Sequence, residues 1–261
     1  MPELPDVEGF RRTLERHAAG RSVRGVQVAD RALLRNSTPQ ALGRAIGGRR
    51  LRRSERHGKW IVAPVGDVSL LFHFGMTGLF DWAEPGVERH RHDRLVLAFS
   101  GGELRYRNMR RFGGVWVVRD EGERRSVTGP LGPDANAVRR DDLERLIAER
   151  RGGVKAALMD QRLIAGLGNL LVDEILWRAR VHPRADLRRL SRAKRDALYE
   201  ALRQTLRTSI RRGRVPPARG WLTGVRDEPG ARCPRCGAGL RKATVAGRTA
   251  CWCPRCQRAR P

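Results

Sequence analysis

Residues 233–256 read CPRCGAGLRKATVAGRTACWCPRC, so that Cys233-Pro-Arg-Cys236 and Cys253-Pro-Arg-Cys256 form two C-x2-C pairs sixteen residues apart. Each pair can wrap two thiolates around a single tetrahedral ion at about 2.3 Å. The intervening Gly239, Val245 and Gly247 suit a β-hairpin, and the stretch therefore reads as a zinc ribbon. Four sulfur ligands leave no open coordination position, so one structural Zn2+ is the expected cofactor and a catalytic metal is not. Redox use of either pair is the competing reading. Cys251, one residue away from Cys253, reads as a bystander that could compete as a ligand.

Charge surrounds this ribbon and pervades the chain. Its 261 residues carry 54 Lys and Arg against 28 Asp and Glu, a formal charge of +26, which points to a polyanionic partner. Only Lys59, Lys155, Lys194 and Lys242 are lysine, so a general bias toward arginine accounts for part of the excess. Lys242, Arg248, Arg255 and Arg258 would make the ribbon a phosphate-gripping finger. Ordinary solvated charge is the alternative, least so for Arg248 on the predicted hairpin.

No stretch approaches the roughly 18 consecutive apolar residues of a membrane helix. The opening MPELPDVEG has acids where a secretory leader would be basic and apolar, so a cytoplasmic, reducing location is expected, with cysteines as metal ligands rather than disulfides. Two tyrosines, six phenylalanines and six tryptophans are few for the stacking platforms of a single-stranded RNA binder.

The hydrophobic period changes along the chain. Val7, Phe10 and Leu14 lie on one face of a predicted helix over 6–19, and Thr38-Pro39 opens a small helix ending near Ile46. Short β-branched or aromatic runs follow at 51–56, 60–65, 69–74, 94–99, 103–106 and 115–118, a spacing that suggests two packed sheets. Beyond a polar stretch at 120–132 the period turns helical until Gly213, and an Arg/Pro/Gly-rich loop then leads to Arg232. The expected class is α+β and multidomain: a β-sandwich flanked by helices over 1–120, a helical domain over 121–213, and a loop with a zinc ribbon over 214–261.

Two further stretches carry chemistry. Asn169 after Gly166-Leu167-Gly168 suits the cap of a helix start, where free amides and the positive dipole end favour a phosphate, although most such caps serve only their own helix. At the amino terminus, removal of Met1 would expose the secondary amine of Pro2. Model α-amino groups titrate near 8 against about 10.4 for lysine, so such an amine is a far better nucleophile at neutral pH. Attack on a sugar C1′ would give a permanently charged iminium, and Glu3 could supply or accept the protons. Taken alone, the same residues read more readily as a frayed end.

The opening PELPDVE, the downstream GLGN, and the terminal C-x2-C-x16-C-x2-C followed by Gln257 together resemble the formamidopyrimidine-DNA glycosylase and endonuclease VIII family. The resemblance runs nearly end to end. It implies an N-terminal β-sandwich, a helix–two-turns–helix segment, a zinc hairpin, and duplex DNA held between the two halves. It also implies excision of an oxidised or ring-opened base by Pro2, with Glu3 in the acid/base role, followed by strand elimination. A non-catalytic zinc-dependent DNA-binding protein is the rival from another class.

The same resemblance implies roles for further residues. Lys59 matches a hairpin lysine that contacts phosphate and lesion, and Lys155 a second lysine that would bind DNA near the helix–two-turns–helix. Met76, in His73-Phe74-Gly75-Met76-Thr77-Gly78, matches the filler of the hole left by the flipped base. In Arg110-Arg111-Phe112-Gly113, Arg110 would serve the orphaned base, Phe112 would act as a wedge and Arg111 would meet a phosphate. Core packing is the competing reading for Met76 and Phe112. Asp6 stands where the purine-excising branch usually has glutamate, and 213–232 is shorter than that branch's capping loop, so oxidised pyrimidines remain the alternative to purines. Flipping one base needs no symmetry mate, and a monomer is expected.

Overall fold

A computed structural model describes residues 1–148 and 150–258. The chain divides into two compact units, Met1–Pro130 and Leu131–Pro261.

The first unit begins with helix α1 (Leu4–Ala18), strand β1 (Gly25–Val28) and helix α2 (Pro39–Ile46), the last capped by Thr38, whose hydroxyl accepts from the Ala41 N–H. Seven strands follow: β2 (Glu55–His57), β3 (Trp60–Val65), β4 (Val68–His73), β5 (Gly78–Ala83), β6 (Asp93–Phe99), β7 (Gly102–Asn108) and β8 (Gly114–Val118). They form two antiparallel four-stranded sheets in the orders β1-β6-β7-β5 and β2-β3-β4-β8. Alternate side chains of each sheet turn inward, and Ile61, Leu70, Phe72 and Val115 of one share a core with Phe80, Leu95, Leu97 and Tyr106 of the other. Phe72 and Phe74 meet Phe80 edge-on at 4.8 and 5.0 Å. Val7 and Leu14 of α1 enter this core.

The run expected at 51–56 is a strand only over Glu55–His57, and two further elements depart from the expected pattern. β5 was not anticipated, because GLFDWA follows a glycine-rich loop and shows its strand character only in register against β7. The other is helix α3 (Glu121–Thr128), capped by Asp120, where an irregular stretch was expected. Its Val127 packs on Val62, Leu71 and Val118 over the outer face of the second sheet, so the helix belongs with the first unit and lies beyond the expected boundary at 120.

The second unit contains α4 (Arg140–Ala148), α5 (Val154–Met159), α6 (Asn169–Arg178), α7 (Arg192–Arg212) and the hairpin β9 (Arg241–Val245) with β10 (Arg248–Trp252). α6 is its centre: every residue from Leu171 to Trp177 is buried, two carboxylates included. α7 ends where expected, at Gly213 in the left-handed conformation with φ +64°. Among the described residues no helix is long and apolar enough to cross a membrane.

Candidate active site and nucleic-acid interface

In the first unit the amino terminus is held, not frayed. Glu3 occupies the N-cap of α1, its N–H donates to Asp6 Oδ2 at 2.9 Å, and the Asp6 N–H returns a bond to the Glu3 carboxylate. The reciprocal box satisfies two helix-end donors and fixes Glu3 beside Pro2. Glu3 is 1% exposed while Pro2 is partly open, which leaves an accessible imino position next to a sealed carboxylate at a positive helix end. The acid at position six therefore has a structural task, which aspartate performs.

Lys59 sits in the turn between β2 and β3, after Gly58 at φ +57°. It lies near His73, which pairs with Trp60 across β3 and β4. Burial, reinforced by the Lys59 charge, holds His73 down at about 4, so its imidazole is neutral at physiological pH.

The stretches around Met76 and around Arg110 are brought together by one buried amide. Asn108 Nδ2 donates to the Tyr106 hydroxyl at 3.0 Å and to the Phe112 carbonyl at 2.8 Å, while its Oδ1 accepts from the Arg111 N–H at 3.0 Å. Thr77 Oγ1 bonds to Asn108 Oδ1 at 3.3 Å and accepts from the Arg110 N–H at 3.0 Å. Gly75 and Gly113 permit the approach: at φ +58° and +97°, a Cβ on either would stand 1.8 Å from Phe112 O or 2.1 Å from His73 O.

On this rigid base Met76 is 36% exposed and Phe112 51% exposed, so neither is a core residue. The Arg110 guanidinium lies 5.3 Å over the Phe112 ring. Apolar tips and a donor-rich arginine on a fixed loop pair can replace the stacking and pairing of an extruded base. Arg111 takes φ +59°, and its Nε is already engaged by Asp30 Oδ2 at 2.9 Å. Asn108, Thr77 and the 54%-exposed Met109 were missed from the sequence. For the first two only a contact between segments some thirty residues apart could have revealed them.

In the second unit two expectations are corrected. Gly168, not Asn169, is the N-cap of α6; Asn169 is the first helical residue, and its Nδ2 donates to the Thr249 carbonyl at 2.9 Å. It ties the helix start to β10 instead of closing an amide of its own helix. Lys155 is fully buried: its Nζ donates to Asp173 Oδ1 at 2.6 Å and to the Thr249 carbonyl at 3.3 Å. Its ammonium is therefore not on the surface in this conformation, held inside by Asp173 and the Thr249 carbonyl. Asp173 Oδ2 also accepts from Arg226 at 2.8 Å and from the Cys251 N–H at 3.0 Å. Burial pushes Lys155 down and Asp173 up, and their mutual attraction opposes both shifts. Arg248 stands exposed at the start of β10, three residues before that anchor.

Segment 214–232 is no free loop. The Thr223 N–H donates to Glu174 Oε2 at 3.1 Å, Thr223 Oγ1 donates to the Pro216 carbonyl at 2.9 Å, and Leu222 is buried against Trp177.

The four cysteines converge. The sulfurs of Cys233, Cys236, Cys253 and Cys256 all lie within 4.8 Å of one another, with Cys236 at 3.5 Å from both Cys253 and Cys256. Tetrahedral bonds of 2.3 Å require edges of about 3.8 Å, so the set fits a zinc ion once its widest pairs draw in by about an ångström. Burial opposes ionisation of Cys233, but the Trp177 indole N–H at 3.3 Å and the amides of Arg235 and Cys236 bring its thiol down to about 7. Gln257 staples the second pair, accepting from the Cys253 N–H at 2.9 Å and donating to the Val181 carbonyl at 2.8 Å. Cys251 lies outside the four, its thiol pushed up to about 11 by burial.

Family models match the chain in three consecutive parts: the formamidopyrimidine-DNA glycosylase N-terminal domain over residues 1–115, the H2TH domain of the same enzymes over 130–216, and a zinc finger found in FPG and IleRS over 230–259. The formamidopyrimidine-DNA glycosylase of Methylococcus capsulatus is 35% identical over 272 residues, covering 99% of this chain and all of the relative. The chain belongs to the formamidopyrimidine-DNA glycosylase family. Its relative from Acidothermus cellulolyticus is 36% identical, covering 98% of this chain and 97% of its own. A structure of MutM with DNA containing carbocyclic 8-oxo-G, and one of Lactococcus lactis Fpg with DNA containing N7-benzyl-Fapy-dG, each superpose with a TM-score of 0.88 at 28% identity, covering 99% of this chain and all of theirs. The family's β-sandwich, H2TH and zinc-finger parts are thus all present here, in the expected order.

Proposed function

We propose that this chain is a bifunctional DNA glycosylase and abasic-site lyase of base-excision repair, acting in the cytoplasm as a monomer that holds one structural Zn2+. The observation that carries this reading is the reciprocal capping of Glu3 and Asp6, which keeps a buried carboxylate beside Pro2. With Met1 removed, the Pro2 nitrogen attacks C1′ of the extruded nucleotide; the C1′–N bond to the base breaks and the base departs with a proton. The nitrogen lone pair then forms an iminium with C1′ as the C1′–O4′ ring bond breaks and the ring oxygen takes a proton from Glu3. Loss of a C2′ proton drives cleavage of the C3′–O bond, and water releases the amine. Glu3 exchanges the protons at the sugar-ring oxygen and in the eliminations. Lys59 meets the flanking phosphate, while Met76, Phe112 and Arg110 fill the vacated stack. Asn169 and Arg248, joined through Thr249, contribute donors toward backbone phosphates. The zinc ion, bound by four sulfurs, shapes the finger and takes no part in the chemistry.

Oxidised or ring-opened purines are the proposed substrates, supported by the filler residues and by relatives whose structures hold such DNA. The short segment clamped to α6 through Thr223 and Arg226 favours the second reading, oxidised pyrimidines. Incision of duplexes each bearing a single lesion separates the two.

Borohydride added to zinc-loaded protein with abasic-site DNA is expected to trap a covalent adduct. An extra residue ahead of Pro2 is expected to abolish trapping. Protein shown by mass to begin at Pro2, folded and binding duplex yet forming no adduct, would instead be a damaged-DNA-binding module.

A further inference from the structure

A cavity of about 890 Å3 in the second unit lies at the end of α6 opposite Asn169. Ten helical residues place it roughly 15 Å along the axis from that helix start. Arg180, Arg184, Arg189, Lys194, Arg255 and Arg258 line it, and Asp186 is the one carboxylate among the lining residues. Neither Asn169 nor Arg248 contributes to it.

Three observations distinguish this cavity from the chain's general basicity. Elsewhere buried or half-buried arginines hold carboxylates, as Arg107 holds Asp93 at 2.7 Å, Arg178 holds Glu174 at 2.7 Å and Arg226 holds Asp173 at 2.8 Å. Among the described residues, none of the five arginines of the cavity has a carboxylate within ion-pair distance. Their field converges on a concave space, where it is focused rather than dispersed. Asp186 is already committed, its Oδ1 accepting from the Arg188 N–H at 2.9 Å.

The second observation is backbone geometry. Arg180 takes φ +54°, where glycine is the usual occupant, and Lys194 Nζ clamps its carbonyl at 2.9 Å. A glycine would relieve the strain and lose the guanidinium. The third is order: Arg255 sits inside the second C-x2-C pair and Arg258 follows Gln257, whose double staple to Cys253 and Val181 holds the backbone of this turn beside the cavity.

We infer that this cavity is a phosphate-binding site separate from the one at the start of α6, taking consecutive phosphate groups from either a nucleic-acid backbone or a free polyphosphate. Guanidinium forks grip such oxygens in pairs, and several phosphates in a row match several unpaired cations. The inference is independent of the excision reading, since it requires neither a base nor a sugar.

Inorganic tripolyphosphate titrated into the full zinc-loaded chain by calorimetry is expected to bind saturably, one per molecule. Arg189→Glu with Arg255→Glu is expected to weaken it by at least about tenfold, each charge-assisted bond being worth that much. Arg189→Gln with Arg255→Gln should give a smaller loss in the same direction. Arg44→Glu with Arg53→Glu, equal in charge but in the other unit, should leave binding unchanged. Equal weakening by both acidic pairs, or none by the cavity pair, overturns the site.

Duplex titrations at several salt concentrations identify the source. A backbone occupant lowers the salt slope by about 2 in the cavity pair, near 0.9 per phosphate, and tripolyphosphate displaces duplex. A free polyphosphate occupant leaves the duplex curve unchanged and binds alongside the DNA.

Discussion

Asp173 accepts the Lys155 ammonium at 2.6 Å with both side chains sealed from solvent, and its other oxygen holds Arg226 and the backbone of Cys251. A carboxylate on α6 thus clasps α5, the segment after α7 and the zinc hairpin at once. Three partners are what make a buried charge tolerable here.

Removing one partner of such a pair leaves the other uncompensated. Asp173→Ala is expected to cost about 3–5 kcal/mol in urea unfolding, more than any surface ion pair of this chain. Asp173→Glu should recover part of that loss. Duplex affinity measured below the transition should also fall, because the Thr249 carbonyl that positions Asn169 loses its frame.

Asn108 makes four hydrogen bonds, three of them to the two filler stretches and one to the Tyr106 hydroxyl. Asn108→Ala should destabilise the chain by about 1–3 kcal/mol. Excision of a damaged base should fall by about a hundredfold through misplacement of Met76 and Phe112, and cleavage at a preformed abasic site by less, because no base has to be replaced in the stack.

His73 supplies a pH dependence. Its native value near 4 lies below the ordinary 6.5, so the unfolded chain binds more protons between those limits. Its contribution to stability is complete above pH 6.5 and disappears as pH falls toward 4, by at most about 3 kcal/mol. His73→Gln should flatten that part of the unfolding free energy against pH.

Metal removal should act on one unit. The hairpin's own apolar contacts are few, chiefly Trp177, Leu222 and the cysteines. Chelation is expected to abolish duplex binding and the second unit's cooperative melting, restored by Zn2+, while the transition of the β-sandwich unit stays in place. A single transition shifted as a whole would contradict this.

Most strands of the sandwich were legible because inward and outward residues alternate within each run, as in Leu95, Leu97 and Phe99 of β6. β5 and α3 were not, since neither carries such a signal. β5 is a strand through its pairing with β7, and α3 is fixed by the Asp120 cap and by Val127 on a sheet face. The role of Asn169 was displaced by one position, since backbone dihedrals choose the cap and residue type only favours it.

Local spacing alone determined the four clustered cysteines and the order of the three parts, because each depends on residues a few positions apart. Whether a charge faces solvent or is consumed inside was decided only by tertiary structure. Lys155 meets Asp173 eighteen residues later and Thr249 ninety-four residues later, and the free energy of a buried ammonium is set by those distant groups.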